Sequence, residues 1–271
     1  PRATFAEVAG LAGLDFTHHS GASGDYYLIE TMGAGGAFFD FDNDGLVDIF
    51  LVDGFDLSGV GREYPPANLV RRDSLAYWVR QGGLPPLHFE GQVDSALFLV
   101  RQDSGQPLQG DHLYRNIGAG RFADQTSSAG VGDPGYGTGC AVGDYDNDGD
   151  SDLYVANYGP NTLYRNEGRG TFAEVTAQAG VGDPRWSTSP LFFDYDRDGD
   201  LDLFVPNYLD FTVAGNRICG GTSSAAGSQL LAIPRPQRSY CSPRHYNGAP
   251  STLYRNEGDG TFGDVTRPLG L

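Results

Sequence analysis

Residues 144–152 read DYDNDGDSD, and the same D-x-D-x-D-G-x-x-D pattern recurs at residues 40–48 and 194–202. Four carboxylates within nine residues repel one another unless a cation lies among them. Aspartates at positions 1, 3, 5 and 9, a turn-forming glycine at position 6 and a backbone carbonyl at position 7 supply oxygen ligands, of which Ca²⁺ takes roughly six to eight. The pattern therefore predicts three calcium-binding loops, named loops 1, 2 and 3 in chain order.

The residues that follow each loop distinguish it from an EF-hand. An EF-hand has a bidentate Glu at position 12 and a helix on each side. Position 12 here is Leu51, Val155 or Val205, and each loop runs into a short apolar, β-prone segment. A single acidic turn is equally consistent with a solvated hairpin, but three copies in one register favour metal-binding turns between strands.

The loops belong to a longer repeat. The phrase L-Y-R-N-x-G-x-G-x-F occupies residues 113–122, 163–172 and 253–262. In the shortest copy we expect four strands, which cover residues 138–142, 153–156, 162–165 and 171–175, the last two joined by a glycine-rich hairpin turn. A four-stranded antiparallel unit of about 40–50 residues is typical of a β-propeller blade. The predicted fold class is all-β, with three complete blades in a partial or open propeller.

The spacing of the repeated phrases predicts the domain organisation. Residues 1–121 form repeat 1 with an insertion at 55–111, residues 122–171 form repeat 2, residues 172–261 form repeat 3 with an insertion at 209–250, and residues 262–271 begin a further repeat. Both insertions fall between the second and third strands, so we expect them on one face, where partners often bind. It is equally consistent with the sequence that the insertions only cover neighbouring blades or are loosely ordered. The only candidate helix, residues 74–80, lies in the first insertion.

Composition limits the classes of partner. The chain has 35 acidic and 18 basic residues and a formal net charge of −17, so no basic face is expected and nucleic acid is not a predicted partner. No stretch approaches the roughly 20 apolar residues of a membrane span. The first residue, Pro1, suggests a chain cut after export or a segment of a longer protein.

Two of the three cysteines, Cys219 and Cys241, lie in the second insertion, which is rich in Gly, Ser and Pro. A disulfide there would stabilise the fold by about 3 kcal/mol on the chain-entropy estimate, and we favour it over free thiols. Calcium loops of moderate affinity suit compartments with millimolar calcium, where disulfides also persist. This combination predicts a secreted, extracellular or cell-surface protein, with the periplasm as an alternative. Cys140, on a predicted strand, is expected to be a small core residue.

The loops and the L-Y-R-N phrases resemble FG-GAP/VCBS repeats, which build the calcium-bearing propeller of integrin α-subunit heads. The Y-C-S-P motif at residues 240–243 and the L-Y-R-N-x-G-x-G-x-F-x-x-V-T phrase more narrowly resemble bacterial relatives of cartilage acidic protein, the ASPIC group. The resemblance implies three Ca²⁺ sites with side-chain ligands and one carbonyl each: Asp40, Asp42, Asp44 and Asp48 with Leu46; Asp144, Asp146, Asp148 and Asp152 with Asp150; Asp194, Asp196, Asp198 and Asp202 with Asp200.

The number of repeats departs from the closed rings of about seven blades that the resemblance implies. Only three complete repeats occur, so we expect either further blades after Leu271 or an open stack that another chain completes. Exposed sheet edges of an open stack favour head-to-tail pairing into a homo-oligomer. Arg197 stands where loops 1 and 2 have Asn, and we expect it to point outward and to leave the third site intact.

Three functional hypotheses follow. The first is a secreted binding module with structural calcium, which binds a protein or glycan ligand on the insertion face. The second is a structural subunit of an extracellular assembly or filament. The third is a metal-dependent polysaccharide lyase or sugar dehydratase, which needs a general base such as His or Tyr. The suggestive group is His18 and His19 near Asp25, but adjacent residues on a strand point to opposite faces, and an ordinary surface loop is the favoured interpretation. We therefore predict no catalytic residues.

Overall fold

A computed structural model describes residues 5–55, 57, 110–133, 135–222 and 236–271, together with the backbone of three strands in the first insertion. The other residues of the two predicted insertions lie outside the described ranges. The strands are β1 (Gly36–Phe39), β2 (Asp48–Leu51), β3 (Leu69–Arg71), β4 (Ala76–Val79), β5 (Leu87–Glu90), β6 (His112–Asn116), β7 (Phe122–Asp124), β8 (Gly137–Gly143), β9 (Asp152–Asn157), β10 (Thr162–Asn166), β11 (Phe172–Glu174), β12 (Leu191–Phe193), β13 (Asp202–Val205), β14 (Cys219–Thr222), β15 (Pro236–Ser239), β16 (Thr252–Asn256) and β17 (Phe262–Asp264).

Three four-stranded antiparallel sheets repeat along the chain. Blade 1 has the order β1-β2-β6-β7, blade 2 the order β8-β9-β10-β11, and blade 3 the order β12-β13-β16-β17. The predicted all-β fold of four-stranded blades is confirmed. Glycines 168 and 170, in the hairpin turn between β10 and β11, have the expected positive φ, at 71° and 79°.

Each blade has two distinct ends, because its strands alternate in direction. Loops 1 to 3 join the first and second strands, and the glycine-rich hairpins join the third and fourth strands at the same end. The long connections 52–111 and 206–251 join the second and third strands at the opposite end. We call the first end the loop end and the second end the insertion end. The repeat boundaries themselves stay a prediction.

The insertions contain sheet in place of the helix that the sequence suggested. Strands β3, β4 and β5 form a three-stranded antiparallel sheet, and β14 pairs with β15. The expectation of a helix at residues 74–80 is wrong, since β4 covers 76–79. The segment Tyr77-Trp78-Val79 consists of aromatic and β-branched residues, which favour a strand once partner strands are present.

Single helical turns follow the last strand of a blade, a feature that the sequence reading missed. These helices are α2 (Thr126–Ala129) and α3 (Thr176–Ala179), and α1 (Ala9–Ala12) precedes blade 1. Each ends at a glycine in the left-handed region, such as Gly130 with φ 79°. Within the described ranges, 3-10 turns cover Leu28–Thr31 and Pro243–His245. None of the helices in the described ranges is long or apolar enough to span a bilayer.

Residues 5–8 precede α1 and belong to no strand among the described residues. The helix α1, which follows them, nevertheless has the same position relative to blade 1 that α2 has relative to blade 2. A β-carbon on Gly13 would lie 2.6 Å from the carbonyl oxygen of Phe122, and one on Gly130 would lie 3.3 Å from that of Phe172. The amino-terminal segment thus occupies the place of the end of a preceding blade.

Apolar clusters fill the space between successive blades. The cluster between blades 1 and 2 contains Phe39, Phe41, Phe50, Val52, Leu113, Ala129, Val131, Leu153, Val155 and Tyr164. The cluster between blades 2 and 3 contains Tyr145, Tyr154, Leu163, Val175, Ala179, Val181, Leu203, Val205, Tyr254 and Phe262. Burial of each large apolar side chain contributes roughly 1.5–3 kcal/mol, so packing between blades is a main source of stability.

A third apolar cluster covers the insertion end. Its centre is Trp186, whose ring makes edge contacts with Tyr158, Tyr208 and Phe211 at centroid distances of 5.7, 5.1 and 5.7 Å. A disulfide joins Cys219 to Cys241 in the second insertion. The first residues of each insertion, Phe55 and Leu57 in one and Leu209, Phe211 and Val213 in the other, therefore pack against residues that flank the blade strands. This agrees with the interpretation that insertions cover neighbouring blades.

Candidate metal centres

The backbone of each loop turns through two residues in the left-handed region, at positions 4 and 6. In loop 2 these are Asn147, with φ 59°, and Gly149, with φ 94°. Glycine and asparagine adopt this conformation most readily among the residues. Loop 3 has Arg197 at position 4 with φ 65°, so the turn is preserved at a residue type that is less suited to it.

The carboxylate at position 1 organises the turn. In loop 2, Asp144 accepts hydrogen bonds from the backbone N–H groups of Asp148 at 3.1 Å and Gly149 at 3.0 Å. The aspartate at position 5, Asp148, accepts from the backbone N–H of Asp150 at 2.8 Å. Loops 1 and 3 repeat these contacts.

The aspartate at position 9 connects the loop to the sheet. Asp152 is fully buried; its Oδ2 accepts from the backbone N–H of Tyr145 at 3.0 Å and its Oδ1 from that of Asn166 at 2.8 Å. Burial raises the pKa of Asp152 to about 7, against the opposing effect of these two hydrogen bonds. Burial raises the pKa of Asp48 and Asp202 as well, so an ionised carboxylate at this position is costly without a cation.

The carboxylates at positions 1, 3 and 9 converge in every loop. One ligand atom from each lies within 4.8 Å of the others in three groups: Asp40, Asp42 and Asp48; Asp144, Asp146 and Asp152; Asp194, Asp196 and Asp202. These are three clusters that can hold a metal ion. The position 5 aspartates, Asp44, Asp148 and Asp198, fall outside the groups, and they stay predicted ligands together with the position 7 carbonyls of Leu46, Asp150 and Asp200.

Two orphaned oxygens test whether the residues fit a cation. The Oδ1 atoms of Asp42 and Asp146, both at position 3, are buried and have no hydrogen-bond partner. An unsatisfied buried carboxylate oxygen costs free energy that a metal ligand bond would recover. The donor set contains oxygen alone, which suits hard cations such as Ca²⁺ and Mg²⁺ better than zinc or copper. The clusters therefore fit a hard divalent cation.

Neighbouring loops are hydrogen-bonded to one another. The side-chain amide of Asn43 donates to Asp150 Oδ1 at 2.5 Å, and that of Asn147 donates to Asp200 Oδ1 at 2.7 Å. In addition, the Asn166 amide donates to the carbonyl of Phe41 at 2.9 Å. The position 4 asparagines thus link adjacent loops, a role that the sequence reading did not assign.

Arg115 is a second residue that the sequence reading missed. Its guanidinium forms ion pairs with Asp42 and Asp44 of loop 1. The corresponding Arg165 and Arg255 pair instead with glutamates two residues later. A signal was present in the sequence, because blade 1 has isoleucine where the other two blades have those glutamates.

A separate polar cluster lies at the insertion end of blade 1. The Nδ1 atoms of His18 and His19 lie 3.0 Å and 2.7 Å from the two oxygens of Asp53, which is buried. The expectation that adjacent histidines point apart is wrong here, because they lie in an irregular segment and not in a strand. Their partner is Asp53, at the position that Asn157 and Asn207 occupy in blades 2 and 3.

The comparison with known families agrees with this geometry. Two overlapping segments, residues 94–155 and 144–205, match the family model of the FG-GAP-like repeat. They include all of loops 2 and 3 and the strands beside them. A search of curated proteins gives no match, and the narrower resemblance to integrin heads and to relatives of cartilage acidic protein stays a prediction. With four-stranded blades and aspartate loops between their first and second strands, this chain carries FG-GAP-like repeats over residues 94–205.

Proposed function

We propose that this protein is a secreted, calcium-binding β-propeller module in which the ions are structural and the insertion end binds a protein or glycan ligand. The observation that carries the proposal is the threefold recurrence of a converging carboxylate group, with a buried, unpaired oxygen in loops 1 and 2. A cation is the group that satisfies such oxygens and removes the repulsion among the carboxylates.

Calcium is favoured over magnesium by the number and spacing of the donors. Four side chains and one carbonyl per loop offer more oxygens than Mg²⁺, which retains several waters, normally takes from a protein. Ca²⁺ also tolerates the irregular geometry of a turn in which two residues are left-handed. The proposed ligands are the aspartates at positions 1, 3, 5 and 9 and the carbonyl at position 7.

The position of the loops supports a structural role for the ions. Each loop lies at the loop end of its blade, whereas the ligand-binding insertions lie at the opposite end. Through the position 9 aspartate, each ion would fasten the loop to the second and third strands. Binding that occurs only in the folded state stabilises that state by mass action.

The insertion end offers features that suit a ligand surface. The exposed Tyr240 makes an edge contact with Tyr26 at a centroid distance of 5.2 Å and donates its hydroxyl to Glu30 at 2.8 Å. Beside it, Arg238 pairs with Asp25 at 3.3 Å. Aromatic rings next to paired polar groups are typical of interfaces and glycan subsites. The disulfide between Cys219 and Cys241 holds this region and is in accord with secretion.

Calcium titration by isothermal calorimetry tests the proposal. We expect about three equivalents to bind to chelator-treated protein, and D146N to bind one equivalent fewer, because it neutralises the position 3 ligand of loop 2. The matched control is D15N, which makes the same charge change at an exposed aspartate outside the loops. Wild-type protein that binds no calcium at millimolar concentration would contradict the proposal.

A second candidate function is a polysaccharide lyase or sugar dehydratase, which the shared contact of His18 and His19 with Asp53 favours. A buried carboxylate that orients an imidazole is an arrangement found in general bases. About one third of each ring remains exposed, at 33% for His18 and 39% for His19. If the chain is an enzyme, H18A or H19A should reduce turnover in a glycan-degradation screen at least about 100-fold; absence of turnover in wild type supports the binding module.

A further inference from the structure

We infer that Arg115 makes loop 1 a weaker calcium site than loops 2 and 3, so that loop 1 fills last. The inference rests on the proposed function, because it assumes that the loops bind calcium. It concerns a residue outside the nine-residue loop, and it identifies what sets the affinity of one loop relative to its repeats.

The guanidinium of Arg115 already serves as a cation for loop 1. Its Nε lies 2.5 Å from Asp42 Oδ2, and its Nη2 donates to Asp44 Oδ2 at 2.8 Å. Asp42 belongs to the converging group and is only 12% exposed, while Asp44 is a predicted ligand and is 27% exposed. Two of the four loop 1 carboxylates are therefore partly neutralised by the protein itself.

In blades 2 and 3 the equivalent arginine pairs with a glutamate and not with the loop carboxylates, although Arg165 and Arg255 still interact electrostatically with Asp146 and Asp196 over a longer distance. Arg165 donates from Nε and Nη2 to Glu167 Oε1 at 2.9 and 2.5 Å. Arg255 binds both carboxylate oxygens of Glu257 through Nη2, at 2.7 and 2.8 Å. The acidic residue two positions after the arginine thus captures the guanidinium at the strand end.

Blade 1 lacks this acidic residue. Its place is taken by Ile117, which is 46% exposed and offers no charge to Arg115. The arginine consequently turns to the nearest carboxylates, which are those of loop 1. The first six residues of the three phrases are otherwise identical, L-Y-R-N-I-G against L-Y-R-N-E-G twice, and the missing glutamate explains the different pairing.

The electrostatic effect has a definite sign. A Ca²⁺ ion bound by Asp40, Asp42 and Asp48 would lie within several ångströms of the guanidinium and be repelled by it. Binding must also weaken the two ion pairs that Arg115 makes. Coulomb repulsion between a divalent and a monovalent cation at such a distance, even in a medium close to water, corresponds to about a tenfold loss of affinity.

Hydrogen exchange measured by mass spectrometry at increasing calcium concentration resolves the three loops in the intact chain. Peptides that cover residues 40–48, 144–152 and 194–202 report each site separately. In wild type we expect the protection midpoint of the first peptide at about tenfold higher calcium than the other two. R115Q and I117E should each lower that midpoint about tenfold, the first by removing the charge and the second by capturing it.

The reciprocal variant makes the test specific. E167I should release Arg165 toward loop 2 and raise the midpoint of residues 144–152 about tenfold, with loop 3 unchanged. R121Q, which removes an exposed arginine of the same blade, is the matched control and should shift no midpoint by more than about twofold.

Equal midpoints in wild type, or no shift of loop 1 in both R115Q and I117E, would overturn the inference. Loss of calcium response in all three peptides would instead contradict the proposed function.

Discussion

Removal of calcium with excess EGTA is expected to lower the thermal midpoint of this protein by at least about 15 °C. An ion at one hundred times its dissociation constant stabilises the folded state by about 2.7 kcal/mol, and three loops act together. For chains of this size each kcal/mol shifts the midpoint by about 2–4 °C. A tenfold weaker loop 1 still contributes about 1.4 kcal/mol, so the three sites together supply about 6.8 kcal/mol, which corresponds to about 14–27 °C.

The physical reason lies in the buried oxygens. Without a cation, Oδ1 of Asp42 and of Asp146 stays buried and unpaired, and the buried Asp48, Asp152 and Asp202 lie near other carboxylates. The unfolded chain relieves both costs by exposing these groups to water. The ion therefore stabilises the native state because it removes strain that exists only there.

Differential scanning calorimetry in matched ionic strength, with calcium and with EGTA, measures the shift. Restoration of the original midpoint on adding calcium back shows that the effect is reversible binding, and magnesium at the same concentration should restore less of it. Coincident transitions with and without chelator would show that no bound ion stabilises the fold.

Local sequence determined most of the blade architecture. The D-x-D-x-D-G-x-x-D pattern and the glycine-rich hairpin both depend on contacts within about ten residues, such as the N–H groups of Asp148 and Gly149 on Asp144. Their consequences, a turn between two strands in a fixed register, could be deduced from spacing alone. Strands and loops were thus predictable wherever the repeat was regular.

Contacts between blades could not be deduced in that way. The hydrogen bond from Asn43 to Asp150 joins residues 107 positions apart, and it exists only because adjacent blades place their loops side by side. The pairing of Arg115 with loop 1 also depends on the absence of a competing carboxylate, since blade 1 has Ile117 where the other blades have a glutamate. A local pattern shows which groups are present, whereas three-dimensional proximity determines which of them compete.

The prediction for His18 and His19 was wrong for a different reason. The expectation that His18 and His19 point apart assumes extended strand geometry, and the segment is irregular. Both rings therefore reach the same buried carboxylate, Asp53, which lies 34 residues beyond His19. Insertions and connecting segments depend on such long-range contacts, so their site residues are the least accessible to sequence reasoning.

Replacement of Asp152 by alanine is expected to reduce the free energy of unfolding by about 4–6 kcal/mol in the presence of calcium. The substitution removes two hydrogen bonds from a charged acceptor, each of which contributes about 1.5–3 kcal/mol. It also removes a predicted ligand of loop 2 and leaves the N–H groups of Tyr145 and Asn166 without their acceptor. Urea denaturation monitored by circular dichroism provides the measurement.

The control is D150A in the same loop. The Asp150 side chain accepts a bond from Asn43 only at a surface position, and its backbone carbonyl, the predicted ligand, is retained, so a loss below about 1 kcal/mol is expected. The same two variants in EGTA separate the two roles of Asp152. A residual loss of about 1–3 kcal/mol is expected for D152A without calcium, because burial raises the pKa of Asp152 to about 7 and a partly protonated acceptor makes weaker hydrogen bonds to the sheet. If D152A and wild type unfold identically in EGTA, Asp152 acts through the ion alone, and the link between the loop and the third strand carries no stability of its own.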